Sequence, residues 1–498
     1  MGVIVALDQG TTSSRCILFN NNGQIVSSAQ KEHKQIYPKS GWVEHNPVEI
    51  FVNCKDVILL AIKKAGISHK EINSLGITNQ RETTILWNRI TGIPYGNAIV
   101  WQDTRTDKIC EDLSKSNDAE LFISTTGLPI ATYFSGPKIK WMIENIPSVQ
   151  NDILRNEVCA GTIDTWLIWN FTGGIIGGNH LTDVTNASRT MLMDLKKLSW
   201  DERLLNALGI PCEILPKIKP SVGFFGYTKD FIAGTPISGV LGDQQAALFG
   251  QTCFQPGDVK NTYGTGCFML LNTGQNIIRS QHGLLSTVGY QIGNNEPFYC
   301  LEGSIAITGA LVQWLRDNLG IIQKSSEIES LAESVTDNGG VYFVPAFSGL
   351  FAPYWKSNAR GLIIGLTRYA NKGHIARAAL EATAFQTFDV IKSMQKDSKI
   401  ELNILKVDGG MVNNDFLMQF QANILNSIVI RPTITETTAL GAAYAAGLAT
   451  GFWQSQKELL DKWKAGKSWS PKINNMERER LLYDWKRAIN KSFDWIEV

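Results

Sequence analysis

Short apolar runs, separated by turns rich in glycine and asparagine, open the chain. This pattern predicts three strands, at residues 3–7, 15–19 and 24–28, joined by tight turns. The second half opens in the same way, with predicted strands at 258–263 and 267–272 around the turn Gly264-Thr265-Gly266. We therefore expect a glycine-centred hairpin at the start of each half.

Helical spacing of apolar residues follows each hairpin. Residues 46–64 predict a helix with Asn46 as its N-cap, Pro47 as its first residue, Glu49 in a capping box and Gly66 at its end. Its expected buried stripe consists of Val48, Phe51, Val52, Leu59 and Ile62. Further helices are expected at 106–116, 138–144, 304–318, 373–394 and 414–426. Further strands are expected at 74–78, 84–87, 98–101, 402–407 and 427–430. The apolar side chains of the carboxyl-terminal tail also have helical spacing: Leu482, Trp485, Ile489 and Phe493.

The alternation of strands and helices is typical of a layered α/β protein. Because both halves begin with a similar hairpin, the sequence predicts a duplicated α/β domain around a central cleft. We place the amino-terminal domain at 1–250 and the carboxyl-terminal domain at 251–498. The uncharged segment 437–456 is long enough to span a membrane, but its Ala, Gly, Thr and Ser content favours a closely packed helix.

Composition excludes several functional classes. Lysine and arginine total 47 against 46 acidic residues, so a strongly basic nucleic-acid-binding face is not expected. The 8 cysteines contain no CxxC pair and the 6 histidines no HExxH motif, which predicts reduced thiols and no zinc site. No signal-peptide pattern is found at the start, and we expect a cytoplasmic chain without membrane insertion.

The glycine-rich turns do not match three common nucleotide motifs. Gly466-Lys467-Ser468 lacks the first glycine of a P-loop, because Asp461 stands in its place. The turn Gly264-Thr265-Gly266 lacks the third glycine of the dinucleotide fingerprint and continues into an apolar run. The signature set of protein kinases is also missing.

Residues 8–15, Asp-Gln-Gly-Thr-Thr-Ser-Ser-Arg, have the chemistry to hold a phosphate. Gly10 permits a tight turn, and amide N–H groups and hydroxyls can surround phosphate oxygens. Asp8 can hold Mg²⁺, directly or through water, and Arg15 can pair with a terminal phosphate. The same residues also suit a plain hairpin. Residues 407–414 form a second candidate, for an anion or a purine edge, or a plain strand–helix turn.

Taken together, these motifs resemble those of the FGGY carbohydrate kinases over essentially the whole chain. Residues 133–145 are similar to the first family signature, and residues 361–381 to the second. The motifs at 8–15, 78–83, 242–246 and 263–268 are most similar to those of members that phosphorylate glycerol. The resemblance implies duplicated actin-like (ribonuclease H-like) ATPase domains. It also implies ATP and Mg²⁺ as cofactors and phosphorylation of glycerol to sn-glycerol 3-phosphate, which feeds glycerol catabolism and glycerolipid precursors.

The resemblance also assigns roles to single residues. The triol is expected at Arg81, Glu82, Tyr133, Asp243, Gln244, Trp101, Phe268 and Thr11. The nucleotide is expected at Thr11, Thr12, Ser13, Arg15, Thr265, Gly266, Gly309, Gln313, Gly410 and Asn414. Mg²⁺ is expected at Asp8 and Asp243, and Asp243 is the expected general base. Without the resemblance, Arg81 and Glu82 would be interpreted as a solvated pair, and Asp243 as a helix N-cap.

These assignments are chemically reasonable for a polyol. Because such a substrate has few apolar atoms, a site must discriminate through donors and acceptors aimed at its hydroxyls. Arg81 offers a fork of donors and Glu82 offers acceptors. Trp101 and Phe268 would form walls against the carbon backbone.

Two other functions remain open at this stage. One is a kinase for a pentulose or another sugar, which Arg81 and Glu82 disfavour because sugar-kinase relatives usually carry a different motif there. The other is a non-catalytic actin-like ATPase used as a scaffold, which an intact Asp243 disfavours. Residues 226–235 contain no arginine, unlike the loop of relatives inhibited by fructose 1,6-bisphosphate, so we expect insensitivity to that compound. Family members also suggest a homodimer or homotetramer.

Overall fold

The computed structural model describes residues 2–496. The elements of the first half are, in chain order, β1 (Val3–Gln9), β2 (Ser13–Phe19), β3 (Ile25–Glu32), β4 (Glu44–His45), α1 (Pro47–Ala65), β5 (Ile72–Asn79), β6 (Thr84–Asn88), β7 (Ala98–Ile99), α2 (Asp107–Ser114), α3 (Ala119–Thr126), α4 (Ser135–Asn145), α5 (Pro147–Leu154), β8 (Val158–Thr162), α6 (Ile163–Phe171), β9 (Leu181–Asp183), α7 (Val184–Ala187), β10 (Met193–Asp194), β11 (Ser199–Trp200), α8 (Glu202–Leu208), β12 (Lys217–Lys219), β13 (Val222–Tyr227), β14 (Pro236–Gly242) and α9 (Asp243–Gly250).

The elements of the second half are β15 (Val259–Tyr263), β16 (Cys267–Gly274), β17 (Leu285–Tyr290), β18 (Phe298–Ile305), α10 (Gly309–Asp317), α11 (Glu327–Glu333), β19 (Tyr342–Val344), β20 (Leu362–Ile364), α12 (Lys372–Ser398), β21 (Ile404–Asp408), α13 (Asp415–Leu425), β22 (Ile428–Pro432), α14 (Thr437–Ala449), α15 (Gln456–Lys462), β23 (Ala465–Trp469) and α16 (Asn475–Lys491). Short 3₁₀ helices lie at His69–Glu71, Cys212–Ile214 and Gly410–Asn413.

The first large sheet has the strand order β13-β14-β5-β1-β2-β3. Strands β1, β2 and β3 are antiparallel in succession, and β5 and β14 run parallel to β1. The outermost strand, β13, is antiparallel to β14. The carboxyl ends of β1, β5 and β14 therefore meet at one edge of the sheet, where ligands bind in open α/β sheets. Asp8 lies near the end of β1, Arg81 follows β5, and Asp243 follows β14.

The second large sheet has the order β17-β18-β16-β15-β21-β22-β23. Strands β15, β16 and β18 are antiparallel in succession, β21 and β22 run parallel to β15, and β23 is antiparallel to β22. Apart from β17, this repeats the strand directions of the first sheet. The prediction of a duplicated α/β domain is confirmed.

The first sheet is apolar on both faces, as expected for a sheet covered on both sides. Val3, Val5 and Leu7 of β1 join the core beneath α1 and α6, whereas Ile4 and Ala6 face the opposite core. That opposite core is filled by α9 and α14. The helix α14 comes from the second half of the chain, and yet it packs on β1, β5 and β14 of the first sheet.

Glycines allow the backbones of α14 and α9 to come into direct contact where the two helices cross. A Cβ added at Gly441 would lie 1.8 Å from the carbonyl oxygen of Ala246, and one at Gly250 would lie 2.0 Å from that of Thr437. The closely packed helix predicted for this uncharged segment is confirmed. Within the described part of the chain, no helix is long and apolar enough to cross a membrane.

The predicted caps of α1 are confirmed, but its predicted stripe is wrong at three of five positions, since only Phe51 and Ile62 pack against the core. The side chain of Asn46 accepts hydrogen bonds from two amides of the first turn, and Gly66 ends the helix in the left-handed region. Val48, Val52 and Leu59, however, are 42–48% exposed. The buried face instead consists of Pro47, Ile50, Asn53, Cys54, Val57, Ile58 and Ala61. Apolar residues lie around most of α1, and packing against β2 and β3 selects this second stripe.

Three further details differ from the expectation. The carboxylate of Glu49 accepts a hydrogen bond from the amide of Lys34 and does not complete a capping box. The region 304–318 is not one helix, because β18 continues to Ile305 and α10 begins only at Gly309. Trp101 lies beyond β7, which ends at Ile99. All 8 cysteines are free, as expected, and 7 of them are buried.

Candidate active site

Arg81 and Glu82 lie buried at the carboxyl end of β5, with 3% and 1% of their surface exposed. The interpretation as a solvated pair is therefore wrong. Glu82 has a φ of 59°, a left-handed conformation that costs a non-glycine residue about 1 kcal/mol or more. Its carbonyl oxygen accepts hydrogen bonds from the hydroxyls of Thr84 and Ser135, which hold this turn in place. A Cβ at Gly242 would lie 2.7 Å from Cγ of Arg81, so glycine gives the arginine its room.

The guanidinium of Arg81 is fixed by carboxylates and an amide. Nη1 donates to Oε2 of Glu302 at 2.6 Å and to Oε1 of Gln245 at 3.2 Å. Nη2 donates to Oε1 of Glu302 at 2.8 Å. Nε lies 3.2 Å from Oδ1 of Asp243. One of the two Nη2 hydrogens is left for another acceptor.

Asp243 is the first residue of α9, and the N-cap position belongs to Gly242. Oδ1 of Asp243 accepts a hydrogen bond of 2.7 Å from the amide of Gln244. Burial raises the pKa of Asp243, although Arg81 and Lys260 act in the opposite direction. A partly desolvated carboxylate of this kind is a better proton acceptor than one in water.

Lys260 reaches this group from β15 of the second sheet. Its Nζ donates to Oε1 of Gln244 at 2.5 Å, to Oγ1 of Thr262 at 2.9 Å and to the carbonyl oxygen of Phe268 at 3.3 Å. Lys260 is completely buried, and burial lowers its pKa. Because the amide oxygen of Gln244 is engaged, its NH₂ group is the part available to a ligand.

An aromatic wall lies beside these polar groups. The ring centroid of Trp101 is 5.5 Å from that of Tyr133 and 6.4 Å from that of Phe268, both edge to face. Nε1 of Trp101 donates to Oγ1 of Thr11 at 3.0 Å, which ties the wall to the first glycine turn. Burial raises the pKa of the Tyr133 hydroxyl, so this group stays neutral and can both donate and accept.

The first glycine turn joins β1 to β2. The amide of Gly10 donates to the carbonyl oxygen of Ser13 at 2.9 Å, and Thr11 and Thr12 form the tip. Burial and the nearby charge of Asp243 raise the pKa of Asp8 to about 7. Arg15 pairs with Glu436 and donates to Oε1 of Gln30, so its guanidinium faces the start of α14.

The second glycine turn lies at the corresponding edge of the second sheet. A Cβ at Gly266 would lie 2.4 Å from the carbonyl oxygen of Ile305, and one at Gly309 would lie 2.5 Å from that of Gly264. A Cβ at Gly409 would lie 2.4 Å from the carbonyl oxygen of Tyr263. These contacts bring Thr265, Gly266, Gly309 and the turn after β21 together.

The remaining residues that the resemblance assigns to the nucleotide lie on α10 and between β21 and α13. Gly410 has open space on the side where a Cβ would stand. Asn414 is the N-cap of α13, with its side chain accepting from the amide of Leu417 at 2.7 Å. Gln313 lies exposed on α10.

The buried partners Arg189, Glu302 and Lys260 were not predicted from the sequence. Each lies outside the motifs that carry the family resemblance. The signal that could have found them is an unmatched charge in an otherwise apolar segment, such as Glu302 in the strand sequence FYCLEGSI. Across residues 2–496, no group of three or more His, Cys, Asp and Glu side chains could hold a metal ion.

Two family models match the chain. The model of the FGGY family of carbohydrate kinases, N-terminal domain, matches residues 3–250, and the model of its C-terminal domain matches residues 259–450. The chain belongs to this family. The resemblance drawn from the motifs is therefore confirmed, and with it the duplicated actin-like fold.

Curated relatives carry a common name. The chain is 59% identical over 494 residues to a "Glycerol kinase" of Roseiflexus sp. (strain RS-1), with 99% of each chain covered. It is 58% identical over 495 residues to a "Glycerol kinase" of Brucella anthropi, again with 99% of each covered.

Two solved structures have folds similar to that of this chain. The crystal structure of Plasmodium falciparum glycerol kinase with ADP superposes with a TM-score of 0.93 at 39% identity, covering 100% of this chain and 99% of the other. A gluconate kinase from Lactobacillus acidophilus has a TM-score of 0.87 at 24% identity, covering 98% and 97% of the two chains, and shows the fold alone.

Proposed function

We propose that this chain transfers the terminal phosphoryl group of ATP to glycerol and forms sn-glycerol 3-phosphate. The observation that carries the proposal is a buried Arg81–Glu82 pair beside Asp243, at the sheet edge where a glycine turn also lies. Relatives named glycerol kinase, 58–59% identical over their full length, support the same reaction. Kinases of this family use ATP with Mg²⁺.

The polar groups of the site suit a triol. Arg81 retains one N–H, Glu82 retains Oε2, and Gln244 retains its NH₂ group. Tyr133 contributes a neutral hydroxyl, and the rings of Trp101 and Phe268 supply apolar contact. Leaving these buried groups without hydrogen bonds costs free energy, so a substrate that lacks the matching hydroxyls binds poorly.

Asp243 accepts the proton of the attacking hydroxyl. Its raised pKa follows from burial, and Arg81 at 3.2 Å restrains that rise and fixes the carboxylate. Phosphoryl transfer demands alignment and charge neutralisation more than covalent chemistry, so one oriented carboxylate is sufficient as the base.

The two glycine turns hold the phosphates from the two halves of the chain. Thr11, Thr12 and Ser13 present amides and hydroxyls from the first turn, and Thr265 and Gly266 present theirs from the second. We assign the first turn and the triol residues, with the exception of Phe268, to the domain at 1–250. The second turn and the adenosine residues Gly309, Gln313, Gly410 and Asn414 belong to the domain at 251–498. Without nucleotide, Arg15 pairs with Glu436 and donates to Gln30 of the first hairpin. In this assignment its guanidinium turns to the phosphates when the nucleotide binds.

Asp8 and Asp243 fit a magnesium ion. Their mutual repulsion contributes to the raised pKa of Asp8, and a divalent cation would relieve it. Mg²⁺ in proteins binds through one or two carboxylates together with substrate phosphates, which matches this pair. When bound, Mg²⁺ neutralises charge on the transferred phosphoryl group.

The test is release of ADP from Mg-ATP with a panel of acceptors: glycerol, dihydroxyacetone, xylulose, gluconate and none. Turnover that depends on glycerol and exceeds that with the other acceptors is expected. Oxidation of the product by a dehydrogenase specific for sn-glycerol 3-phosphate fixes the position of the phosphate. Turnover with xylulose or gluconate instead would reassign the substrate to a sugar, and silence with every acceptor would favour a scaffold.

The family resemblance further supports a homodimer or homotetramer in the cytoplasm. Light scattering coupled to size-exclusion chromatography distinguishes these assemblies from the 55.1 kDa monomer.

A further inference from the structure

Arg81 and Glu82 belong to a closed ring of four buried charges. Nε of Arg189 donates to Oε1 of Glu82 at 2.7 Å, and Nη2 of Arg189 donates to Oε1 of Glu302 at 3.3 Å. Glu302 binds Arg81 with both oxygens, and Nε of Arg81 lies 3.9 Å from Oε1 of Glu82. Arg189 is 0% exposed and follows α7, whereas Glu302 is 1% exposed and lies on β18 of the second sheet.

Stability alone is a poor explanation for this ring. Burying four ionised groups carries a desolvation cost that their mutual attraction does not reliably exceed, and apolar replacements are often as stable. An alternating ring does, however, fix every member in one orientation. Both oxygens of Glu302 are engaged by arginines, so Glu302 itself has no direct role toward a substrate. Arg189 stacks instead on aromatic residues, with its guanidinium carbon 5.8 Å from the Tyr133 ring centroid and 5.4 Å from that of Phe134.

We propose that Arg189 and Glu302 are positioning residues for glycerol: they hold Arg81 and Glu82 so that one N–H of Arg81 and Oε2 of Glu82 face the triol. This inference rests on the proposed function. Glu302 comes from the second sheet and Arg189 from the first half, so the triol site is braced by both halves of the chain.

The ring also sets the charge of Glu82. Burial raises the pKa of Glu82, and the charges of Arg81 and Arg189 oppose that rise. The titratable and charged groups around Glu82 are Arg81, Arg189, Glu302, Tyr133 and Lys138. Without Arg189, Glu82 would lose its hydrogen-bonded cation, and only the charges of Arg81, 3.9 Å away, and Lys138 would oppose its protonation. A protonated Glu82 would then present a different hydrogen-bonding pattern to the substrate.

Three variants test the proposal: Arg189→Gln, Arg189→Lys and Glu302→Gln. We expect Arg189→Gln and Glu302→Gln to raise the KM for glycerol about tenfold to a hundredfold and to leave the KM for ATP nearly unchanged. Calorimetric titration with glycerol, without nucleotide, should show the same loss of affinity. Arg189→Lys should recover part of it, because one ammonium can still pair with Glu82. In Arg189→Gln, the KM for glycerol should rise further as the pH falls.

Arg105 offers a matched control. Its side chain is 3% exposed, lies between the carboxylates of Glu44 and Asp103, and stacks 3.7 Å from the ring centroid of Trp42. Arg105→Lys therefore removes a similar buried fork at a place without contact to Arg81 or Glu82. We expect it to lower the thermal midpoint without a selective effect on the KM for glycerol.

The outcomes test the positioning role of Arg189 and Glu302 separately from the proposed phosphorylation of glycerol. Glycerol binding by Arg189→Gln and Glu302→Gln at wild-type strength overturns the inference, as do parallel changes in both KM values that match Arg105→Lys. Should Glu302→Gln fail to fold, as judged by its thermal transition, the two Arg189 variants decide. A wild-type chain that phosphorylates another acceptor overturns the proposed function, and an unchanged KM for that acceptor in the variants overturns the inference separately.

Discussion

In the proposed reaction, Asp243 is the residue on which the chemistry depends most directly. Asp243→Asn retains the oxygen that accepts the amide of Gln244 but removes the base, so we expect turnover to fall about a hundredfold to ten-thousandfold. Glycerol should still bind, as measured by calorimetry, because the other polar groups remain. Asp107→Asn is a suitable control, since Asp107 is likewise the first residue of a helix, α2. Turnover of Asp243→Asn within a few-fold of wild type would remove Asp243 from its role.

Asp164 permits a prediction on pH and stability. It is fully buried, accepts hydrogen bonds from Thr162 and Thr182, and burial raises its pKa from an ordinary value of 3.8 to about 7. Between these values the folded state binds more protons than the unfolded state, so this group lowers stability as the pH rises through that window. Asp164→Asn removes the penalty. Its thermal midpoint relative to wild type should therefore improve from pH 5 to pH 8.

Asp201 is the matched control for this measurement. Hydrogen bonds from Arg203 lower the pKa of Asp201, so it is ionised in both states throughout the same range. Asp201→Asn should show a constant difference from wild type between pH 5 and pH 8. An Asp164→Asn difference that is equally constant would contradict the prediction.

Residues within one motif were predictable, and their buried partners were not. Arg81, Glu82 and Asp243 stand in short sequence patterns that indicate their chemistry. Arg189, by contrast, lies 107 positions from Glu82, and Glu302 lies 221 positions from Arg81. Only the fold brings these charges together, and a sequence read locally contains no trace of the pairing.

At the level of elements, the ends of a helix were easier to predict than the face that it buries. The cap residues Asn46 and Gly66 fixed α1 because they act through the adjacent backbone. The choice between two apolar stripes on α1 depended on β2 and β3, which lie elsewhere in the chain. The boundary between β18 and α10 was missed for a similar reason, since Ser304 pairs with Phe268 of β16 and extends the strand.

The crossing of α9 and α14 gives a prediction for these elements. A methyl group at Gly441 would stand 1.8 Å from the carbonyl oxygen of Ala246, which cannot move without displacing α9. Gly441→Ala should therefore destabilise the fold by about 1–3 kcal/mol or more and lower the thermal midpoint. Gly96→Ala, with no atom within 4 Å of the added Cβ, should leave the midpoint unchanged. Equal thermal midpoints for both variants would show that α9 and α14 can accommodate the added methyl group where they cross.

Across the whole molecule, the duplication was predictable because each half repeats its opening hairpin in sequence. The physical dependence of one half on the other was not. The apolar content of α14 indicated close packing, but its position on the first sheet follows from the path of the chain and from backbone contacts at glycines such as Gly76 and Gly239. Nothing in the sequence indicates that these two glycines lie against a helix from the second half.

That dependence predicts how fragments of the chain behave. Residues 1–250 alone would lack α14 and would expose Ile4, Ala6, Ile17 and Leu241 on one face of the first sheet. An uncovered apolar sheet face favours association, so we expect this fragment to bind a hydrophobic dye and to lack a cooperative thermal transition. Since Gly250 lies against Thr437, a short linker from residue 250 to the segment 434–453 can restore the missing layer, and the fused fragment should regain both a monomeric state and a cooperative transition. A fragment 1–250 that melts cooperatively as a monomer would show instead that α14 is dispensable to the first sheet.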